Sequence, residues 1–118
     1  MAMKFIGKFQ RGRLSTDPYI LTVRNQVQII LPRPLLDRTG WEKGARIAVG
    51  YDADAKTIGL LAGENGYALV SQGPHARQLR IGIGKRVAAT VGIPTDQKIQ
   101  LTVETIRDDG LVILAEAA

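Results

Sequence analysis

Four cations stand close together with no acid between them: Arg77, Arg80, Lys85 and Arg86. Clustered guanidinium and ammonium groups suit phosphate, because ionised N–H donors make short, strong hydrogen bonds to anionic oxygens. Ile81 and Ile83 are apolar, and the period of two along a strand sends Arg80 to the opposite, solvent side. Lys85 and Arg86 follow Gly82 and Gly84 and open a helical stretch, where bare backbone donors can also meet a phosphate. Arg24 and Arg33 hold related places earlier in the chain, which gives six candidate nucleic-acid contacts: Arg24, Arg33, Arg77, Arg80, Lys85 and Arg86. Six phosphate contacts would make affinity fall steeply with salt, with a log–log slope of about −5. The competing reading is a solvated charged face with no ligand.

Other chemistries find little footing. Gly82-x-Gly84-Lys85-Arg86 lacks the four-residue spacer of a nucleotide phosphate loop, so its glycines fit the bending or close approach of a strand. Asp52-x-Asp54 has no further carboxylate at ligand spacing and reads as a turn. His75 is the sole histidine, and Ser15 and Ser71 sit in no nucleophile signature. Zero cysteines exclude disulfides, thiolate nucleophiles and cysteine-held zinc. The expectation is a protein that is not an enzyme, with no catalytic residues, no metal ligands and no cofactor.

The elements that must position the cations follow from the punctuation. The segment 1–18 reads as an N-terminal arm or edge strand, with Met3, Phe5 and Phe9 on one side and a polar loop after it. Residues 19–23 and 27–31 form a hairpin around Arg24-Asn25-Gln26. Pro32 and Pro34 stop the ladder and suit the first turn of a short helix over 35–39, with Gly40 as its left-handed exit. Trp41 reads as a core plug beside that exit. Residues 46–51 and 57–62 form a second hairpin around 52–56.

After a break at 63–66 the same grammar returns. Residues 67–71 and 77–83 are strands, Lys85 to Val91 is a short helix, and Gly92 is its exit. Strands over 98–106 and 111–115 flank a turn at 107–110. An offset of 52 lays Gly40 on Gly92, Ile29 on Ile81, Leu31 on Ile83, Ile47 on Ile99 and Val49 on Leu101; one further residue lays Leu61 on Leu114. Residues 19–62 and 67–115 are thus read as two ββαββ repeats. Each has one apolar face and too little area to bury it alone, so the pair is expected to close a single pseudo-two-fold β-barrel domain over 1–118. With only 5% aromatic residues, its core must be aliphatic.

The stretch Ile30-Leu31-Pro32 through Thr39-Gly40-Trp41-Glu42-Lys43-Gly44-Ala45-Arg46-Ile47 resembles the AbrB/MazE/SpoVT swapped-hairpin family. Residues 19–62 carry the likeness, and 67–115 carry it by repetition. The double-psi barrel uses similar half-units and is the alternative topology. The resemblance implies a mainly β fold with two short helices, in which two copies fused in one chain stand for the family's dimer. It also implies binding of double-stranded DNA as a transcription regulator. The family places an arginine before the hydrophobic run of the second strand, at Gln28 and Arg80 here. It places cations early in the helix, at Leu36 and Asp37, then at Ala88 and Ala89. These departures motivate a second expectation: a protein-binding or structural module, or a homodimer, that kept the barrel and shed the DNA surface.

The net charge of +5 is uneven: residues 1–24 carry +4 and the remainder +1. A basic lead segment fits an arm for phosphates or anionic surfaces. No apolar run is long enough to span a membrane and no secretory signal is visible, so a cytoplasmic location is expected.

Overall fold

The computed structural model describes residues 17–72 and 77–117. The expected edge strand near the N-terminus, most of the basic arm and His75 lie outside the described residues. The described chain runs β1 (Tyr19–Val23), β2 (Gln26–Leu31), α1 (Arg33–Thr39), β3 (Arg46–Asp52), β4 (Thr57–Ala62), β5 (Tyr67–Ala68), β6 (Val70–Ser71), β7 (Leu79–Gly84), α2 (Lys85–Val91), β8 (Ile99–Ile106) and β9 (Val112–Glu116). It is mainly β, as the turn and strand signals predict.

Local chemistry accounts for the hairpins. Val23 pairs with Gln26, which leaves Arg24-Asn25 as a two-residue turn with Arg24 left-handed at φ 55°. Asp52 pairs with Thr57. The Asp52 carboxylate accepts the backbone amides of Asp54 at 3.0 Å and Ala55 at 3.1 Å, so its acid serves the turn. The β8–β9 ladder is bulged between Val103 and Thr105. Its turn is braced by Arg107 on Asp109 at 3.0 Å and by Gly110 at φ 93°.

Both helices end as the glycines require. Gly40 (φ 76°) donates its amide to Leu36 O at 2.8 Å, and Gly92 (φ 95°) exits α2 in the same way. Helix α1 begins at Arg33 rather than at Leu35. Pro32 stays extended and Pro34 falls in the first turn, where no N–H is needed, so the prolines do not delay the helix. Trp41 packs against the core beside the exit of α1.

All strand pairs are antiparallel, in the order β5-β3-β4-β9-β8-β1-β2-β7-β6. The two ends of that order, β5 and β6, are neighbours in the chain with only Leu69 between them. Leu69 donates its amide to Ala45 O and accepts from Gly44 N–H, both at 2.8 Å. The single strand expected over 67–71 is therefore divided: its first part pairs with β3, its second with β7, and the sheet becomes a nearly closed barrel. The sequence could not show this division, because a strand's pairing partners come from distant chain. No hairpin of the first half pairs with another of the first half. β1–β2 lies between β8 and β7, and β3–β4 lies between β9 and β5.

The core is aliphatic, as the composition demands. Ile29, Ile47, Leu60, Ile81, Val112 and Leu114 are fully buried, and Leu35, Leu36 and Ala88 bring the helices onto them. The break at 63–66 is a packed turn. Gly63 N–H bonds to Arg46 O at 3.0 Å, and Arg46 reaches the Gly66 carbonyl at 3.3 Å. A Cβ on Gly66 would lie 2.2 Å from the carbonyl carbon of Ile47, whereas one on Gly82 would meet only the amide end of the Gln26 side chain. Gly66→Ala is therefore expected to cost more than about 2 kcal/mol in a urea titration. Gly82→Ala, which displaces the Gln26 side chain and with it the acceptor of buried Gln28, is expected to cost less, about 1–2 kcal/mol.

Candidate nucleic-acid interface

The β2–β7 ladder sets the positions of the candidate cations. It runs from Gln26 opposite Gly84 to Leu31 opposite Leu79, a length of about 17 Å. Each helix leaves from one end of it, α2 after Gly84 and α1 after Leu31.

At the Gln26–Gly84 end, the start of α2 meets the β1–β2 turn, and the Lys85 amide donates to Asn25 O at 2.8 Å. Arg24 and Arg86 are exposed and Lys85 is half-buried. Asn25, Gly84, Lys85, Arg86, Ala89 and Thr95 line an open hollow of about 620 Å³. One further residue, outside the six candidates, belongs to this end. Asp96 takes the Lys85 ammonium at 2.7 Å and donates its amide to Thr22 Oγ1 at 2.8 Å. The Lys85 hydrogen bond, more than its charge, holds the Asp96 carboxyl below its ordinary 3.8 despite an opposing desolvation effect. A signal was present: Asp96 falls 52 residues after Gly44, and both are left-handed, at φ 62° and 92°. Aspartate is among the few residues that tolerate that conformation.

At the Leu31–Leu79 end, Arg33 opens α1 with its guanidinium 3.9 Å from Asp37, both side chains well exposed. Arg77 is exposed just ahead of β7. The six candidates thus divide into Arg24, Lys85 and Arg86 at one end, Arg33 and Arg77 at the other, and Arg80 between.

Arg80 lies opposite Ile30 on one side and Val70 on the other. Alternation places it across the sheet from buried Ile81 and Ile83, as expected, yet it does not stand free in solvent. It donates to Ser71 O at 2.9 Å and Gln72 Oε1 at 3.2 Å, which ties β7 to the closing segment. Gln28, the other arginine position of the resemblance, is 8% exposed and donates to Gln26 Oε1 at 2.9 Å. Of the helix positions, Leu36 and Ala88 are buried in the core, while Asp37 and Ala89 face solvent.

An apolar feature adjoins the basic one. Val87 and Val91, four residues apart on one face of α2, are 51% and 49% exposed. Among the described residues no group of three or more metal-ligating side chains occurs, and no helix is long and apolar enough to cross a membrane. No protein-family model, no curated protein and no solved structure matches the chain.

Two measurements check these roles. Arg80→Met is expected to cost about 1–2 kcal/mol and to speed amide exchange around 69–72. Because the Asp96 carboxyl is held low in the folded state, its contribution to stability is present above its ordinary value. That contribution is lost as the pH falls below about 4. Asp96→Asn is expected to flatten this part of the acid limb in urea titrations, and carboxyl NMR should find Asp96 titrating below 3.8.

Proposed function

We propose that the chain is a single-chain pseudo-dimer of swapped-hairpin type. On this reading it binds double-stranded DNA as a transcription regulator in the cytoplasm, through the face that carries the β2–β7 ladder. The observation that carries the reading is the division of cations between the two ends of that ladder. Arg24, Lys85 and Arg86 sit at one end and Arg33 and Arg77 at the other, with the central pair Ile29–Ile81 made of residues 52 apart. A pair of repeat-equivalent residues facing each other is what a two-fold axis through the ladder requires. Two basic groups beyond opposite ends of a ladder about 17 Å long would suit phosphates on either side of a groove.

The strand order supports the duplication. Exchanging the halves, with β5 and β6 together answering to β1, returns the same ring of neighbours. Each hairpin is built from consecutive strands and sits between strands of the other half, which favours swapped hairpins over the double-psi alternative. The ladders also revise the residue equivalences. Tyr67 and Ile47 pair as Pro18 and Leu101 associate, so Ile47 answers to Leu101, and Val49 to Val103. Ile58 and Leu60 then answer to Val112 and Leu114, all four buried. The second unit takes up two more residues between its left-handed Asp96 and Leu101 than the first does between Gly44 and Ile47.

Val87 and Val91 favour a second reading, in which the exposed face of α2 contacts a protein partner or a second copy. Fluorescence anisotropy with a labelled duplex separates the two. The DNA reading expects binding that weakens from low to moderate salt. Arg24→Ala/Arg86→Ala and Arg33→Ala/Arg77→Ala should each reduce the magnitude of the log–log slope by about 1.8 and weaken binding across unrelated sequences. Absence of binding at low ionic strength, or binding indifferent to salt, rules it out.

A further inference from the structure

We infer that Asp96 is an affinity-setting residue of the nucleic-acid face: in the free protein its carboxylate occupies the Lys85 ammonium, and a phosphate must displace it to take that place. The inference rests on the DNA-binding reading, which makes the surface around Lys85 a phosphate contact.

Three observations meet at this residue. Asp96 adopts a left-handed backbone at φ 62°, a conformation aspartate tolerates, where the first half has Gly44 at φ 92°. The conformation is also held: the Asp96 amide donates to Thr22 Oγ1 at 2.8 Å, across to β1. That anchor aims the carboxylate at Lys85 Nζ, 2.7 Å away, on the rim of the hollow that Arg86 and Asn25 also line.

The ion pair is solvent-exposed on both sides, at 38% and 62%, and such pairs contribute little to folding. An aspartate anchored through its own amide, with its carboxylate on an exposed cation at the rim of the hollow, is placed to compete for that cation. The chemistry follows from what the groups share. A carboxylate and a phosphate compete for the same ammonium donors, and the retained carboxylate also repels an incoming anion. At the other end of the ladder Asp37 lies 3.9 Å from Arg33 on the same helix.

The test uses the whole chain and the variants Asp96→Gly, Asp96→Asn and Lys85→Met. Asp96→Gly suits the left-handed backbone, and a thermal melt is the control for its folding. Against a labelled duplex at low salt, both Asp96 variants are expected to bind roughly three- to tenfold more tightly than the parent. Their log–log salt slope should be steeper by about 0.9, and the gain should vanish when Lys85→Met is added. Titration with pyrophosphate, followed by the amide shifts of Asn25, Lys85 and Arg86, gives a second readout independent of DNA. If no form of the protein binds duplex but pyrophosphate binds Asp96→Gly more tightly than the parent, the DNA reading falls and the competition at Lys85 stands. Unchanged or weaker binding of both probes by the Asp96 variants, or a gain that persists without Lys85, overturns the inference.

Discussion

A sheet of short antiparallel strands ends in two rows of unpaired backbone N–H and C=O groups, and here one five-residue stretch pairs with two residues of each. The segment Tyr67-Ala68-Leu69-Val70-Ser71 pairs first with β3 and then with β7. Buried Leu69 fills the interval between them and bonds across to Gly44 and Ala45. Unpaired edges invite association with other chains, so this closure protects the molecule as well as completing its core. Gly66 lies against the backbone of Ile47 just before it, and Arg80 grips the Ser71 carbonyl just after it. Both residues serve the closure, which is why an arginine that alternation sends outward ends up bound to the chain itself.

The interleaving of hairpins follows from the same constraint. A unit of two hairpins and a two-turn helix has an apolar face but no sheet wide enough to cover it. Each hairpin here gains both neighbours from the other half, so neither half can bury its core without the other. The β2–β7 ladder joins the halves and lies between the two basic groups.

Much of this was legible in the chain. Pro32 and Pro34 before a short apolar run, with Gly40 and Gly92 after the helices, marked both helices to within two residues, because these residues act through their own backbone dihedrals. Hairpins were legible where the turn is local, as at Arg24-Asn25 and Asp52 to Lys56. The site was legible in composition but not in arrangement. Arg24, Lys85 and Arg86 come together only because β2 lies beside β7, and Asp96 reaches them only because the connection before β8 folds back onto Thr22 of β1.

The sequence by itself determined the elements, the aliphatic core and the number and sign of the candidate charges. All of these are set by residues acting alone or with near neighbours: a proline without its N–H, a glycine free to turn left-handed, an alternation of apolar side chains. Only the tertiary structure decided which strands are neighbours, that 67–71 serves two ladders, that Arg80 braces the closure and that Asp96 holds Lys85. Those outcomes depend on contacts between residues as many as 83 positions apart, as between Pro18 and Leu101. Backbone donors and acceptors carry no label for a partner, and the partner is chosen when the apolar faces of both halves are buried together.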